Sequence, residues 1–92
     1  LDLAILGGVT EAKKVQALAE SFDKPIAVHN ARPTLLNAVH LHFLANCAGA
    51  NRPQEHPGRN RLIEMWDYFE NRIVPDGGSI AVPDGPGVGL IV

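Results

Sequence analysis

Apolar residues at Ala12, Val15, Leu18, Ala19 and Phe22 recur every three or four positions, while Glu11, Lys13, Lys14 and Glu20 take the other side. That spacing predicts an amphipathic helix over residues 10–22, opened by Thr10 as N-cap behind a Gly7-Gly8 turn. Asp23-Lys24-Pro25 ends it. Pro25-Ile26-Ala27-Val28 follows as a short apolar run between turn residues, the pattern of a buried parallel strand that ends at His29.

Asn30-Ala31-Arg32-Pro33 reads as a loop, and Thr34 to about Cys47 as a second helix. Leu35, Leu36, Val39, Leu41, Phe43 and Leu44 cover most of its circumference, so it is expected to be packed on several sides. Ala48-Gly49-Ala50 ends it, and Asn51 to Gln54 lead to Glu55. Helix, strand, helix and strand joined by short connections are the grammar of an α/β fold with parallel strands.

The remainder changes character. Arg61 to Phe69 fits a short helix or an irregular aromatic segment equally well. Arg72 to Val82, centred on Pro75-Asp76-Gly77-Gly78, reads as a small hairpin. Pro83 to Gly89 is a tight loop before a last apolar run. Both ends of the chain are largely apolar (Leu1 to Ile5 in all but Asp2, and Leu90-Ile91-Val92), where free termini are usually polar. They read as cuts through a larger fold, and so few parallel units are not expected to bury a core alone.

Composition narrows the function classes. The 92 residues carry a formal charge of −2, with 46% hydrophobic and 20% charged residues. Such a chain offers no basic field for nucleic acid and no polybasic membrane motif. No apolar run approaches the ~20 residues of a membrane span. The single cysteine, Cys47, cannot form an internal disulfide, which fits a cytoplasmic setting.

Taken alone, a histidine at the end of an apolar strand is more often structural than catalytic. Asp2 could be a turn residue, and Glu55, between Gln54 and His56, a surface acid. His40 and His42 are two apart, so on a helix they point in different directions and do not readily share a metal ion. His40 reads as a hydrogen-bonded histidine at a packing edge, and Cys47 as a buried, inert thiol. The glycine-rich segments match neither GxGxxG nor GxxxxGK[ST], and read as turns rather than phosphate cradles. Trp66, Tyr68 and Phe69 read as packing groups, since no basic groove accompanies them.

Gly7-Gly8-Val9-Thr10-Glu11, then His29, then Val82-Pro83-Asp84-Gly85-Pro86-Gly87-Val88-Gly89 stand in an order that can be compared with known families. With Asp2, His29 and Glu55 at matching spacings, the whole chain resembles the C-terminal quarter of the mandelate racemase/muconate lactonizing group of the enolase superfamily. The closer likeness is to its racemase-like and acid-sugar dehydratase branch. Muconate-lactonizing relatives use a lysine near the position of Asp2.

The resemblance implies the C-terminal portion of a modified (β/α) TIM-type barrel, plus a return segment towards an α+β capping domain. Residues 1–58 would be barrel units running from the end of strand six to strand eight, and 59–92 the return segment. Asp2, His29 and Glu55 would end three successive strands, where such barrels carry their chemistry. His29 would be the general acid/base, with Asp2 accepting its second ring N–H and fixing the tautomer. Glu55 would donate a hydrogen bond to an enediolate formed from the substrate carboxylate. Asn30 and Arg32, just beyond His29, would touch substrate.

Family chemistry implies Mg²⁺ to stabilise that enediolate. Its three carboxylate ligands would lie on earlier strands, with no metal ligand in this chain. The implied function is a Mg²⁺-dependent dehydratase of a polyhydroxylated carboxylic acid, in a complete, cytoplasmic, homo-oligomeric enzyme. A racemase or epimerase of a 2-hydroxy acid is the alternative, and a non-catalytic piece of a barrel is a second. On this reading, 92 residues alone would be inert.

Overall fold

The structure is a computed structural model, and it describes residues 1–31, 34–57 and 65–92, with the side chains of Met65 and Trp66 left aside. Its regular elements are α1 (Leu3–Leu6), α2 (Val9–Ser21), α3 (Leu36–Ala45) and one 3₁₀ turn (Met65–Tyr68). Arg32, the Pro33 end of its loop and the first part of the expected 61–69 segment lie outside the described residues.

Asp2 starts the chain's first turn. It sits in extended backbone, and its Oδ1 accepts from the N–H groups of Ala4 and Ile5 at 2.9 and 3.2 Å. These are two of the donors that a helix start leaves without an internal partner. Gly7 ends the turn at φ 91°, a left-handed conformation that glycine adopts without Cβ strain. This short helix was not foreseen, because a one-turn helix is too brief to show a period.

α2 appears at the expected place with a different cap and a different face. Gly8, not Thr10, is its N-cap, and no side chain caps it. Its buried residues are Ala12 and Gln16, with Ala19 packed against the same core. Leu18 and Phe22, expected inside, are 61% and 67% exposed. The small Ala12 lets the helix approach the chain closely, so contact follows the Ala12–Gln16–Ala19 stripe, spaced four and three apart.

α3 is the packed helix that its composition predicts. Its start is tightened by Thr34, whose hydroxyl accepts the Leu36 N–H at 3.2 Å. Phe43 faces a core of Leu3, Ala12, Ile26, Val28 and Cys47. Ala38 belongs to a second cluster with Ile73, against which Leu41, Phe69, Ile80, Val88 and Leu90 pack. The helix therefore lies between the 1–50 portion and the returning chain.

The parallel sheet expected over Pro25–Val28 is not present as regular strand among the described residues. What remains is one rung of parallel pairing: Leu1 donates to the Ala27 carbonyl at 2.8 Å, and His29 N–H donates to the Leu1 carbonyl at 2.6 Å. On the other side Gln54 replaces a strand. Its Oε1 accepts from Val28 N–H at 3.1 Å, and its Nε2 donates to the Ile26 carbonyl at 3.1 Å.

The expected hairpin is reduced to its turn. Asp76 and Ser79 exchange both backbone bonds, at 2.8 and 2.9 Å, around Gly77 and Gly78, both with positive φ. The flanking residues instead pack on α3 or meet the last segment. Asn71 clamps that segment, donating to the Gly89 carbonyl at 2.6 Å and accepting from Ile91 N–H at 2.8 Å.

Candidate active site

Asp2 and His29 are 27 positions apart in sequence, and the Leu1 rung brings them side by side. His29 Nδ1 lies 3.0 Å from Asp2 Oδ2. Asp2 thus divides its oxygens, Oδ1 fixing the turn and Oδ2 meeting the imidazole. The His29 side chain is 62% exposed, that of Asp2 only 19%.

The hydrogen bond from His29, aided by the backbone N–H groups of Ile5 and Ala4, holds the Asp2 carboxyl below the usual carboxylate range. Ionised Asp2 can only accept, so the ring proton on that side belongs to Nδ1. Nε2 is then the basic nitrogen of neutral His29. The pair stands at a cleft of roughly 450 Å³ whose wall also includes Ile5, Asn30, Thr34 and His40.

Glu55 joins this site through its neighbour. Its Oε2 accepts the Asn30 N–H at 2.5 Å, and its backbone carbonyl accepts from Asn30 Nδ2 at 3.4 Å. It is not among the residues lining the cleft. Asn30 is itself buried, and its amide also donates to Asn37 Oδ1. Arg32 lies outside the described residues.

His40 is the residue whose place the sequence least revealed. Expected at a packing edge, it is 1% exposed, at the back of the cleft, with Nε2 accepting the Leu3 N–H at 3.4 Å. Burial holds its pKa below the ordinary histidine value, against the pull of Asp2. His42 turns elsewhere, Nε2 donating to the Val88 carbonyl at 3.3 Å. Cys47 is buried and donates its thiol to the Phe43 carbonyl at 3.2 Å, and burial raises its pKa. Among the described residues no three His, Cys, Asp or Glu side chains are grouped to hold a metal ion. No helix among them is long and apolar enough to cross a membrane.

One family model, described as enolase C-terminal domain-like, matches the chain along residues 1–92. The chain belongs to the enolase C-terminal domain-like family. Its membership bears out the family resemblance drawn from the sequence. It implies the superfamily's fold, of which the described residues show helices and no regular strand.

Among curated proteins, D-galactonate dehydratase of Ralstonia pickettii (strain 12J) is 32% identical over 97% of this chain and 24% of its own length. D-galactonate dehydratase of Variovorax paradoxus (strain S110) is 34% identical over 99% of the chain and 25% of its own length. D-gluconate dehydratase of Thermoproteus tenax is 29% identical over 99% and 18%. The chain thus spans a quarter or less of the relatives it matches. No solved structure matches significantly.

Proposed function

We propose that the complete protein carrying this chain is an acid-sugar dehydratase, a carbon–oxygen lyase that removes water from a polyhydroxylated carboxylic acid. The observation that carries this reading is the 3.0 Å contact between His29 Nδ1 and Asp2 Oδ2 at the mouth of a cleft. It is supported by relatives named as D-galactonate and D-gluconate dehydratases.

His29 Nε2 takes the α-proton or, as imidazolium, protonates the departing 3-hydroxyl. Asp2 holds the ring in the needed tautomer and stabilises the imidazolium. Glu55 accepts on Oε2, which leaves Oε1 for a proton that can be donated to an enediolate oxygen. Asn30, in the cleft wall, and Arg32 complete the substrate contacts in this reading.

The described residues do not supply a cage for the Mg²⁺ that the family resemblance implies. In the complete protein its ligands would come from other residues, and no step here is routed through it. A cytoplasmic homo-oligomer remains the expected setting. Loss of the 3-hydroxyl from an aldonate or aldarate, read as appearance of a 2-keto acid, tests the proposal on the complete protein. Deuterium uptake at the α-carbon without loss of water would instead establish a racemase or epimerase. Neither product with a full panel of sugar acids would leave the non-catalytic reading.

A further inference from the structure

Each member of the pair is followed by a residue that α3 grips. Leu3, next to Asp2, donates its backbone N–H to His40 Nε2 at 3.4 Å. Asn30, next to His29, donates its side-chain amide to Asn37 Oδ1. Asn37 and His40 are three apart on α3 and share one face, and each is 1% exposed. We propose that Asn37 and His40 are positioning residues, a buried polar brace through which α3 sets the mutual placement of Asp2 and His29.

Each of these two side chains makes one hydrogen bond and leaves one polar atom unmatched. Asn37 Nδ2 and His40 Nδ1 are buried without a hydrogen-bond partner among the described residues. An orphaned donor is costly, and that cost offsets part of what the one bond each side chain makes contributes. What the polar atoms add is direction.

Leu3 N–H is the one donor of the first turn that Asp2 does not serve. Ala4 and Ile5 go to Asp2 Oδ1, and Leu6 N–H goes to the Asp2 carbonyl at 3.0 Å. His40 therefore completes the start of the helix that Asp2 caps. Fixing Leu3 fixes the backbone from which Oδ2 reaches His29. Asn37 acts likewise on the far partner, holding Asn30 and, through it, the main chain that carries His29.

The brace requires His40 to accept. Nε2 must be unprotonated, so the neutral ring carries its proton on Nδ1. Burial favours the neutral ring, and the charged side chains around it are Asp2 and His29.

This inference rests on reading Asp2 and His29 as the acid/base pair of a dehydratase, and its test separates the two. The complete protein, labelled with ¹⁵N-histidine and ¹³C-aspartate, is followed by NMR as wild type and as H40Q, H40F and N37L. Gln places an acceptor where Nε2 stands, while Phe keeps volume alone. Wild-type His40 is expected as the Nδ1–H tautomer. H40F should move the Asp2 carboxyl titration upward and broaden the His29 Nδ1 proton signal, N37L should broaden that signal, and H40Q should restore both.

With a turned-over sugar acid, H40F should lower kcat about tenfold with KM within about twofold, the signature of misplaced groups. An Nε2–H tautomer in the wild type overturns the brace. So does equal perturbation by H40Q and H40F, or none by either. If H40F does not fold, the wild-type tautomer and H40Q still decide. If no sugar acid is turned over, the functional reading fails and the spectra still test the brace.

Discussion

Asp2 meets His29 through Oδ2 while its Oδ1 caps the turn Leu3–Leu6, so one carboxylate both builds the backbone of the site and orients its imidazole. The two duties can be separated by substitution. Asn is as good an N-cap as Asp, but its neutral amide does not stabilise an imidazolium and allows the wrong tautomer. Asp2→Asn in the complete protein is therefore expected to lower kcat by about 10³–10⁴-fold. Its melting temperature should stay within a few degrees of wild type. Asp2→Ala should lose activity to a similar extent and also melt lower, as a thermal scan beside the assay would show.

Gln54 stands where a neighbouring strand would supply hydrogen bonds to Val28 and Ile26. Gln54→Leu leaves that N–H and carbonyl without these partners. Each such loss costs about 1–3 kcal/mol when the group stays buried. A destabilisation of roughly 2 kcal/mol in denaturant unfolding is expected. Faster amide exchange at Val28 than at Ile26, whose own N–H is held by the Gly49 carbonyl at 2.9 Å, would locate the effect.

Acid should weaken the fold in two stages. Burial chiefly depresses the pKa values of His40 and His56 in the folded chain, so the unfolded chain binds more protons below about 6.5, the ordinary histidine value. The stability they contribute is complete above that pH and is lost as pH falls through their folded values. Asp2, held low mainly by His29, adds a second loss that begins below its ordinary value of 3.8. Melting temperature measured from pH 7.5 down to about 2.5 should fall below about 6.5 and again below about 3.8, and H40Q should flatten the first stage.

Gly89 is tied to the loop it closes. At φ +75° an added Cβ would stand 2.4 Å from the Pro83 Cβ and 3.2 Å from its Cα, so Gly89→Ala brings both left-handed strain and a clash. A loss above about 2 kcal/mol is expected from the two together. Gly87, at φ +66° with open space around it, isolates the strain, and Gly87→Ala should cost only about 1 kcal/mol. Denaturant melts of the two variants give the comparison.

Local pattern by itself determined where α2 and α3 lie, that Gly7 and Gly77-Gly78 are turns, and to which family the chain belongs. Those features depend on period, glycine and short-range spacing, which are written along the chain. Tertiary structure decided which face of α2 is covered, since Leu18 and Phe22 have the right period but Ala12 and Gln16 make the contact. It also decided that Gln54 acts in place of a strand and that His40 is buried behind the pair. These are long-range hydrogen bonds, 26 and 37 positions apart for Val28–Gln54 and Leu3–His40. Nothing in the local alternation of apolar and polar residues records which distant backbone group a buried amide or imidazole will meet.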